Sequence, residues 1–296
     1  MPISRRQFVA RTAAAAAALP FVSPLAAARP ARRAEFLPIR RGVGAFVGRG
    51  GTIGYLDTAD ALVAVDAQFP EPAQAFLDGL SARAGRGLDL LVNTHHHGDH
   101  TAGNAVLAAV AAMHVAHDAV PGLQRAAAVR SGALGVQRYA SETFERSWSA
   151  DLGDEVVSAR YYGPAHTCGD IVVHFENADV VHMGDLVFNG RQPFIDGPGG
   201  ALTTSWMEIL QTVHDRHADG TVFVFGHAGD GFEVTGGRAD LLRFRDFLGA
   251  LNAEVRRRRA AGQDAAAMEN MTVPGFEAWG PTPLRVLEPV VAEQTA

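Results

Sequence analysis

Short apolar runs broken by glycine, proline and aspartate dominate the middle of this chain. Val43-Gly44-Ala45-Phe46-Val47 leads into Arg49-Gly50-Gly51, a hairpin signal. Gly54-Tyr55-Leu56 and Ala61-Leu62-Val63-Ala64-Val65 follow. Runs of this length, bounded by turn residues, predict strands. Pro72 suits the first turn of a helix, with Ala73, Phe76, Leu77 and Leu80 on one face. Leu88-Asp89-Leu90-Leu91-Val92 predicts a buried strand.

A second half repeats the theme. Val156 to Tyr162 alternates like a strand, as does Ile171 to Phe175, with Asn177-Ala178-Asp179 as a turn. Val180 to Met183 and Thr221 to Phe225 predict two more strands. Trp206, Ile209, Leu210 and Val213 have helical spacing. Leu241, Phe244, Leu248, Leu251 and Val255 mark a long amphipathic helix ending in the solvated run Arg256 to Arg259. After Gly262 the pattern weakens. Alternating strands and helices place the chain in the α/β or mixed α+β class.

Histidines and aspartates collect where strands end. His95, His166, Asp185 and His227 each come one to three residues after an apolar strand. Strand ends set side chains on a rim, where pockets form between layers. The densest stretch is Asn93-Thr94-His95-His96-His97-Gly98-Asp99-His100, holding the pattern H-x-H-x-D-H. Residues two apart in an extended segment project to the same side, so His95 and His97 are expected to grip one ion while His96 points away. Asp99 and His100 follow the turn at Gly98 and are placed to face a second ion. His166 is expected to complete the set of His95 and His97. His227 is expected to join Asp99 and His100. The two oxygens of Asp185 suit it to bridge both ions. Imidazole and carboxylate donors suit zinc, iron or manganese. Asp99 and Asp185 are expected to serve the chemistry as well as the metal.

This arrangement resembles the metallo-β-lactamase-fold hydrolases. The resemblance rests on His95-x-His97-x-Asp99-His100, Gly163-Pro164-Ala165-His166-Thr167, Gly184-Asp185 and Gly226-His227, and covers roughly residues 43 to 260. It implies an α+β four-layer αββα sandwich and metal binding by the matching residues, with Asp185 as the bridge. Dinuclear β-lactamases of the superfamily carry cysteine or serine where this chain has Asp185. An aspartate there is similar to glyoxalase II and lactonases. The expected function is therefore a dinuclear hydrolase with two zinc ions, attacking an ester, thioester, lactone or amide carbonyl of a small molecule. A mononuclear iron sulfur dioxygenase of the same fold is the first alternative and a β-lactamase the second. A non-catalytic metal-binding protein is the third.

Other residues carry weaker expectations. Asn189 and Arg191 follow Asp185 and are candidates for substrate contact. Asp66 and Asp170 are expected either to orient ligand histidines or to cap turns. Cys168 reads as a small buried filler. His174 and His182 read as packed or capped histidines. His114, His117, His214 and His217 read as helical or surface-facing.

Composition narrows the picture. The 296 residues are 47% apolar and 20% charged, enough for a large folded core. Net charge is −6, and the few short basic runs give no footprint for nucleic acid. All 26 basic residues are arginine, which excludes Schiff-base chemistry on lysine. One cysteine permits no intrachain disulfide. Near the N-terminus, Ser4-Arg5-Arg6-Gln7-Phe8-Val9 resembles the twin-arginine export motif. The apolar run Thr12 to Val22 is too short to span a bilayer, and Ala26-Ala27-Ala28 offers a cleavage site. Residues 1–28 are thus expected to be a signal peptide read by the twin-arginine machinery, and 36–296 the hydrolase domain. The processed protein is expected to be periplasmic or secreted, with no stable membrane anchor.

Overall fold

The computed structural model describes residues 34–84 and 86–295. The export motif and cleavage site lie outside the described residues. Among those described, no helix is long and apolar enough to cross a membrane.

Seven strands form the first sheet in sequence order: β1 (Glu35–Arg40), β2 (Val43–Val47), β3 (Ile53–Asp57), β4 (Leu62–Val65), β5 (Leu88–Val92), β6 (Ala111–His117) and β7 (Glu142–Phe144). Strands β1 to β4 pair antiparallel, and β4 to β7 pair parallel. The second sheet contains β8 (Ser147–Asp151), β9 (Val156–Tyr161), β10 (Ile171–Phe175), β11 (Val180–His182), β13 (Val222–Val224) and β15 (Thr235–Gly236). Its spatial order is β15-β13-β11-β10-β9-β8. A separate parallel pair joins β12 (Phe188–Asn189) to β14 (His227–Ala228).

Alternation along the strands builds the layers. Val63, Val65, Leu90 and Val92 of the first sheet meet Val157, Ile171, Val173 and Phe175 of the second in one buried cluster. The other face of the first sheet offers Phe46, Leu62, Ala64 and Leu91 to Phe76 and Leu80 of α1 (Pro70–Ala84). The short helices α2 (Gly98–Thr101) and α3 (Asn104–Leu107) follow β5, and α4 (Val120–Ser131) follows β6. The outer face of the second sheet packs Val172, Val181 and Phe223 on α5 (Thr203–Arg216) and α6 (Arg238–Ala260). The result is an α+β sandwich with helix, sheet, sheet and helix layers.

The structure corrects three readings of the pattern. His114 and His117 lie on strand β6 and are buried, 5% and 6% exposed. The alanine-rich sequence of β6 carries little strand signal; parallel pairing with β5 and β7 supplies the conformation. His217 is the residue capping the C-terminus of α5, and its ring meets that of His174 edge to face. The weak pattern after Gly262 conceals α7 (Ala265–Met268) and α8 (Leu284–Glu293), whose Val286, Leu287 and Val290 complete the outer core. Pro289 lies inside α8, and a proline in the middle of a short run argues against a helix when the sequence is read alone.

Candidate metal centre

Strand β5 delivers the chain directly into the histidine cluster. His95 Nε2 lies 3.2 Å from His97 Nδ1. His166, after β9, brings its ring to 4.9 Å from that of His95 and 4.7 Å from that of His97, centre to centre. On the other side, His100 Nε2 lies 3.4 Å from His227 Nε2, and Asp99 Oδ2 lies 3.1 Å from His227 Nε2. Asp185 stands between the sets. Its Oδ2 is 3.9 Å from His95 Nε2, 3.8 Å from His166 Nε2 and 3.4 Å from His227 Nε2, and its Oδ1 is 3.0 Å from His100 Nε2. All seven candidate ligands therefore converge, in two sets of three around Asp185.

Two glycines let Asp185 reach this place. Gly184 has φ +50°, and a Cβ there would meet Thr94 Oγ1 at 2.6 Å. A Cβ on Gly226 would overlap Asp185 Oδ1 and sit 2.7 Å from Gly184 O. The glycine beside each ligand thus serves close approach of the β11 and β13 ends.

Carboxylates fix which nitrogen each histidine turns inward, since an ionised carboxylate only accepts. His100 Nδ1 donates to Asp66 Oδ2 at 2.7 Å. His166 Nδ1 faces Asp170 Oδ1 at 3.3 Å. His97 Nε2 donates to Asp196 Oδ2 at 2.9 Å. Thr94 Oγ1 donates to Asp66 Oδ2 at 2.8 Å and so accepts from His95 Nδ1 at 3.0 Å. The inward atoms are then Nε2 of His95, His100 and His166, and Nδ1 of His97. Asp66 and Asp170 thus orient histidines. Asp196, which did not stand out in the sequence, does the same from the loop after β12. That loop carries only a turn signal, Asp196-Gly197-Pro198-Gly199. His96 is buried and turns to the same carboxylate, its Nε2 3.3 Å from Asp196 Oδ2.

The donors fit a divalent pair. Two nitrogens bound tetrahedrally to one zinc at about 2.0–2.1 Å lie about 3.3 Å apart, close to the spacings of His95 with His97 and of His100 with His227. His166 Nε2 is buried, faces the cluster and has no hydrogen-bond partner. Burial, reinforced by His100, holds His95 well below the ordinary imidazole pKa, and burial lowers His97 against its bond to Asp196. Both are ready as neutral ligands. Burial opposes charge on His100, yet Asp185, Asp66 and Asp99 outweigh it and hold its pKa well above the ordinary value. His227 is likewise pushed up to about 9, against burial, by Asp185 and Asp99. Burial works against charge on Asp99 too, but His100 and His227 bring it down to about 2. Protons on His100 and His227 balance the carboxylates in a place that suits a cation.

The centre opens into a cavity of about 320 Å³ lined by His97, Asp99, Asp185 and His227 together with Phe188, Phe194, Arg191 and Arg285. Asn189, expected beside Arg191 as a substrate contact, does not line it. Pairing of β12 with β14 buries Asn189, and its amide donates to Glu233 O at 2.9 Å. Cys168 lies outside both ligand sets, and burial pushes its thiol pKa up.

Comparison with known proteins identifies the family. Residues 47–227, which hold all seven candidate ligands, match the family model of the metallo-beta-lactamase superfamily. The chain is 30% identical over 221 residues to a hydroxyacylglutathione hydrolase from Acidiphilium cryptum, covering 73% of this chain and 76% of that protein. A metallo-beta-lactamase from Pontibacter korlensis superposes with a TM-score of 0.61 at 18% identity, over 73% of this chain and 99% of that one. A double mutant of the sec-alkyl sulfatase PisA1 superposes with a TM-score of 0.67 at 14% identity, over 88% of this chain and 50% of that one. With its ligand motifs inside the matched stretch and its sandwich shared with these structures, the chain belongs to the metallo-β-lactamase superfamily.

Proposed function

We propose that this chain is a dinuclear zinc hydrolase that cleaves an ester, thioester, lactone or amide bond of a small molecule. One observation carries the reading: Asp185 Oδ2 lies within 3.9 Å of His95, His166 and His227 at once, so a single carboxylate reaches both ligand sets. His95, His97 and His166 would hold one zinc, and Asp99, His100 and His227 the other. Ions held this way supply a nucleophile from water at neutral pH and positive charge where an oxyanion develops. The protein's own part is orientation. Asp66, Asp170 and Asp196 hold His100, His166 and His97 in the tautomers that face the centre. Phe188 backs His227 at a ring separation of 5.4 Å and an angle of 12°. Phe194 and Phe188 give the cavity an apolar wall for the substrate's carbon frame. The hydroxyacylglutathione hydrolase relative supports a thioester among the possible substrates. Export through the twin-arginine pathway to the periplasm or beyond belongs to the same proposal, on the strength of Arg5 and Arg6.

The test is a hydrolysis screen over aryl esters, thioesters, lactones and amides with the protein stripped of metal and then reloaded. Turnover lost on chelation and restored by zinc alone supports the proposal. Turnover by metal-free protein overturns it, as does activity that depends on iron and oxygen.

A further inference from the structure

Successive side chains of strand β10 face opposite layers. Val172 packs in the outer core with α5 and α6, while Val173 and Phe175 turn to the other sheet. His174 therefore faces the helix layer near the end of the strand. There it meets two residues from other elements. His217 closes the C-terminus of α5, and its ring lies 5.0 Å from that of His174 at 86°. Asp179 sits in the turn between β10 and β11, its Oδ1 3.8 Å from His174 Nε2. One donor atom from each of the three lies within 4.8 Å of the others.

The donor at the middle of this group is unsatisfied. His174 Nε2 is shut from solvent and, among the described residues, has no hydrogen-bond partner. A buried nitrogen left this way costs free energy that a bound cation would recover. The carboxylate opposite is held in place. Thr221 Oγ1 donates to Asp179 Oδ1 at 2.8 Å. Arg40 Nη2 lies 3.5 Å from Asp179 Oδ2 and donates to the Asp179 backbone oxygen. Arg40 opposes a cation here, whereas Glu176, Asp179 and Glu155 each favour positive charge at His174. Burial still holds His174 below the ordinary imidazole pKa, and burial together with His174 does the same to His217. Both are then neutral at neutral pH, the form that binds metal. The spacing matches that around Asp185, where His166 Nε2 likewise stands 3.8 Å from the carboxylate.

We infer that His174, Asp179 and His217 form a further divalent-cation site, taking zinc with solvent in the fourth position. All three residues are partly exposed, so an ion can enter. The site is separate from the centre around Asp185. Strand β11 starts just after Asp179 and ends before Asp185, and none of the three residues lines the cavity. A bound ion clips the end of α5 to the turn between β10 and β11. The first turn of α5 carries Trp206, whose ring meets that of His166 at 5.6 Å, so the ion steadies a helix that backs the centre. The inference does not depend on the hydrolase reading.

Equilibrium dialysis of zinc-loaded protein against buffered free zinc tests this without turnover. The wild-type curve should show a step of one ion per chain above those that fill the centre. Two variants each remove one ligand: His217→Asn, at a partly exposed position, and His174→Phe, which keeps a ring beside His217. Each should move the step about 10–100-fold or more upward in free zinc, since losing a ligand costs no less than losing its outer partner. His214→Asn, one turn earlier on α5 where the imidazole pairs with Asp215, should leave the step unchanged. Thermal melts give a second reading. Over the same zinc range Tm should rise in wild type and in His214→Asn, and stay level in the two ligand variants. No extra step in wild type, a step that survives both ligand substitutions, or one lost equally in His214→Asn overturns the site. Because the result is a difference between proteins, it stands whether the centre itself takes two ions, one or none.

Discussion

Asp196 accepts a hydrogen bond from His97 Nε2 at 2.9 Å across 99 residues of sequence. The same carboxylate takes Gly199 N at 3.0 Å through its other oxygen, so it ties the loop over the cavity to the ligand set. In Asp196→Asn an amide nitrogen facing His97 Nε2 would oppose donor to donor and favour the other tautomer. We expect zinc affinity to fall about 10–100-fold with the fold retained, read by competition with a chromophoric chelator. An unchanged affinity would show that His97 does not depend on Asp196.

Gly226 is the second point at which the centre depends on backbone shape. A methyl group there overlaps Asp185 Oδ1. Gly226→Ala should therefore displace Asp185, cost about 1–3 kcal/mol of stability, and lower zinc stoichiometry together with activity. Denaturant titration and metal analysis measure both effects. A variant of wild-type stability and metal content would contradict the crowding described here.

A histidine outside the centre should contribute to acid stability. Burial pushes His114 down to about 4, while its Nε2 donates to Asn93 Oδ1 at 2.7 Å. In the unfolded chain it titrates near 6.5. Between those values the unfolded state binds more protons, so this contribution is fully present above about pH 6.5 and is lost as pH falls toward about 4. The full loss amounts to about 3 kcal/mol. His114→Gln keeps a donor but no titration, so its stability should change less with pH across that window than wild type. Parallel slopes for the two proteins would remove His114 from the acid response.

The proposed export would depend on the paired arginines. Arg5→Lys with Arg6→Lys should leave the unprocessed precursor in the cytoplasm of a host with a twin-arginine system. Fractionation and immunoblotting read the outcome, and normal accumulation of the mature form outside the cytoplasm would refute the export reading.

What the sequence reveals of the centre follows from range. His95, His97, Asp99 and His100 are legible because their spacing and the end of β5 are local facts. His166, Asp185 and His227 are legible because each follows an apolar strand at a glycine or small residue. Asp66 and Asp170 can be narrowed to two roles, and only their distances to His100 and His166 decide between them. Asp196 cannot be found this way, since its partner is set by how a distant loop folds back. Asn189 misleads for a related reason: pairing of β12 with β14, invisible in a two-residue strand, turns it into the protein. Strand β6 hides in an alanine-rich run whose conformation comes from its neighbours. Helix α8, and with it the place of Arg285, is masked by Pro289.

The most direct measurement is a crystal structure of the zinc-loaded protein with anomalous data at the zinc edge. Two ions should appear roughly 3.5–4 Å apart. One should sit among His95, His97 and His166, the other among Asp99, His100 and His227, with Asp185 touching both. A single ion bound by one set alone, or a pair that leaves Asp185 uncoordinated, would contradict the dinuclear centre on which the proposed hydrolase depends.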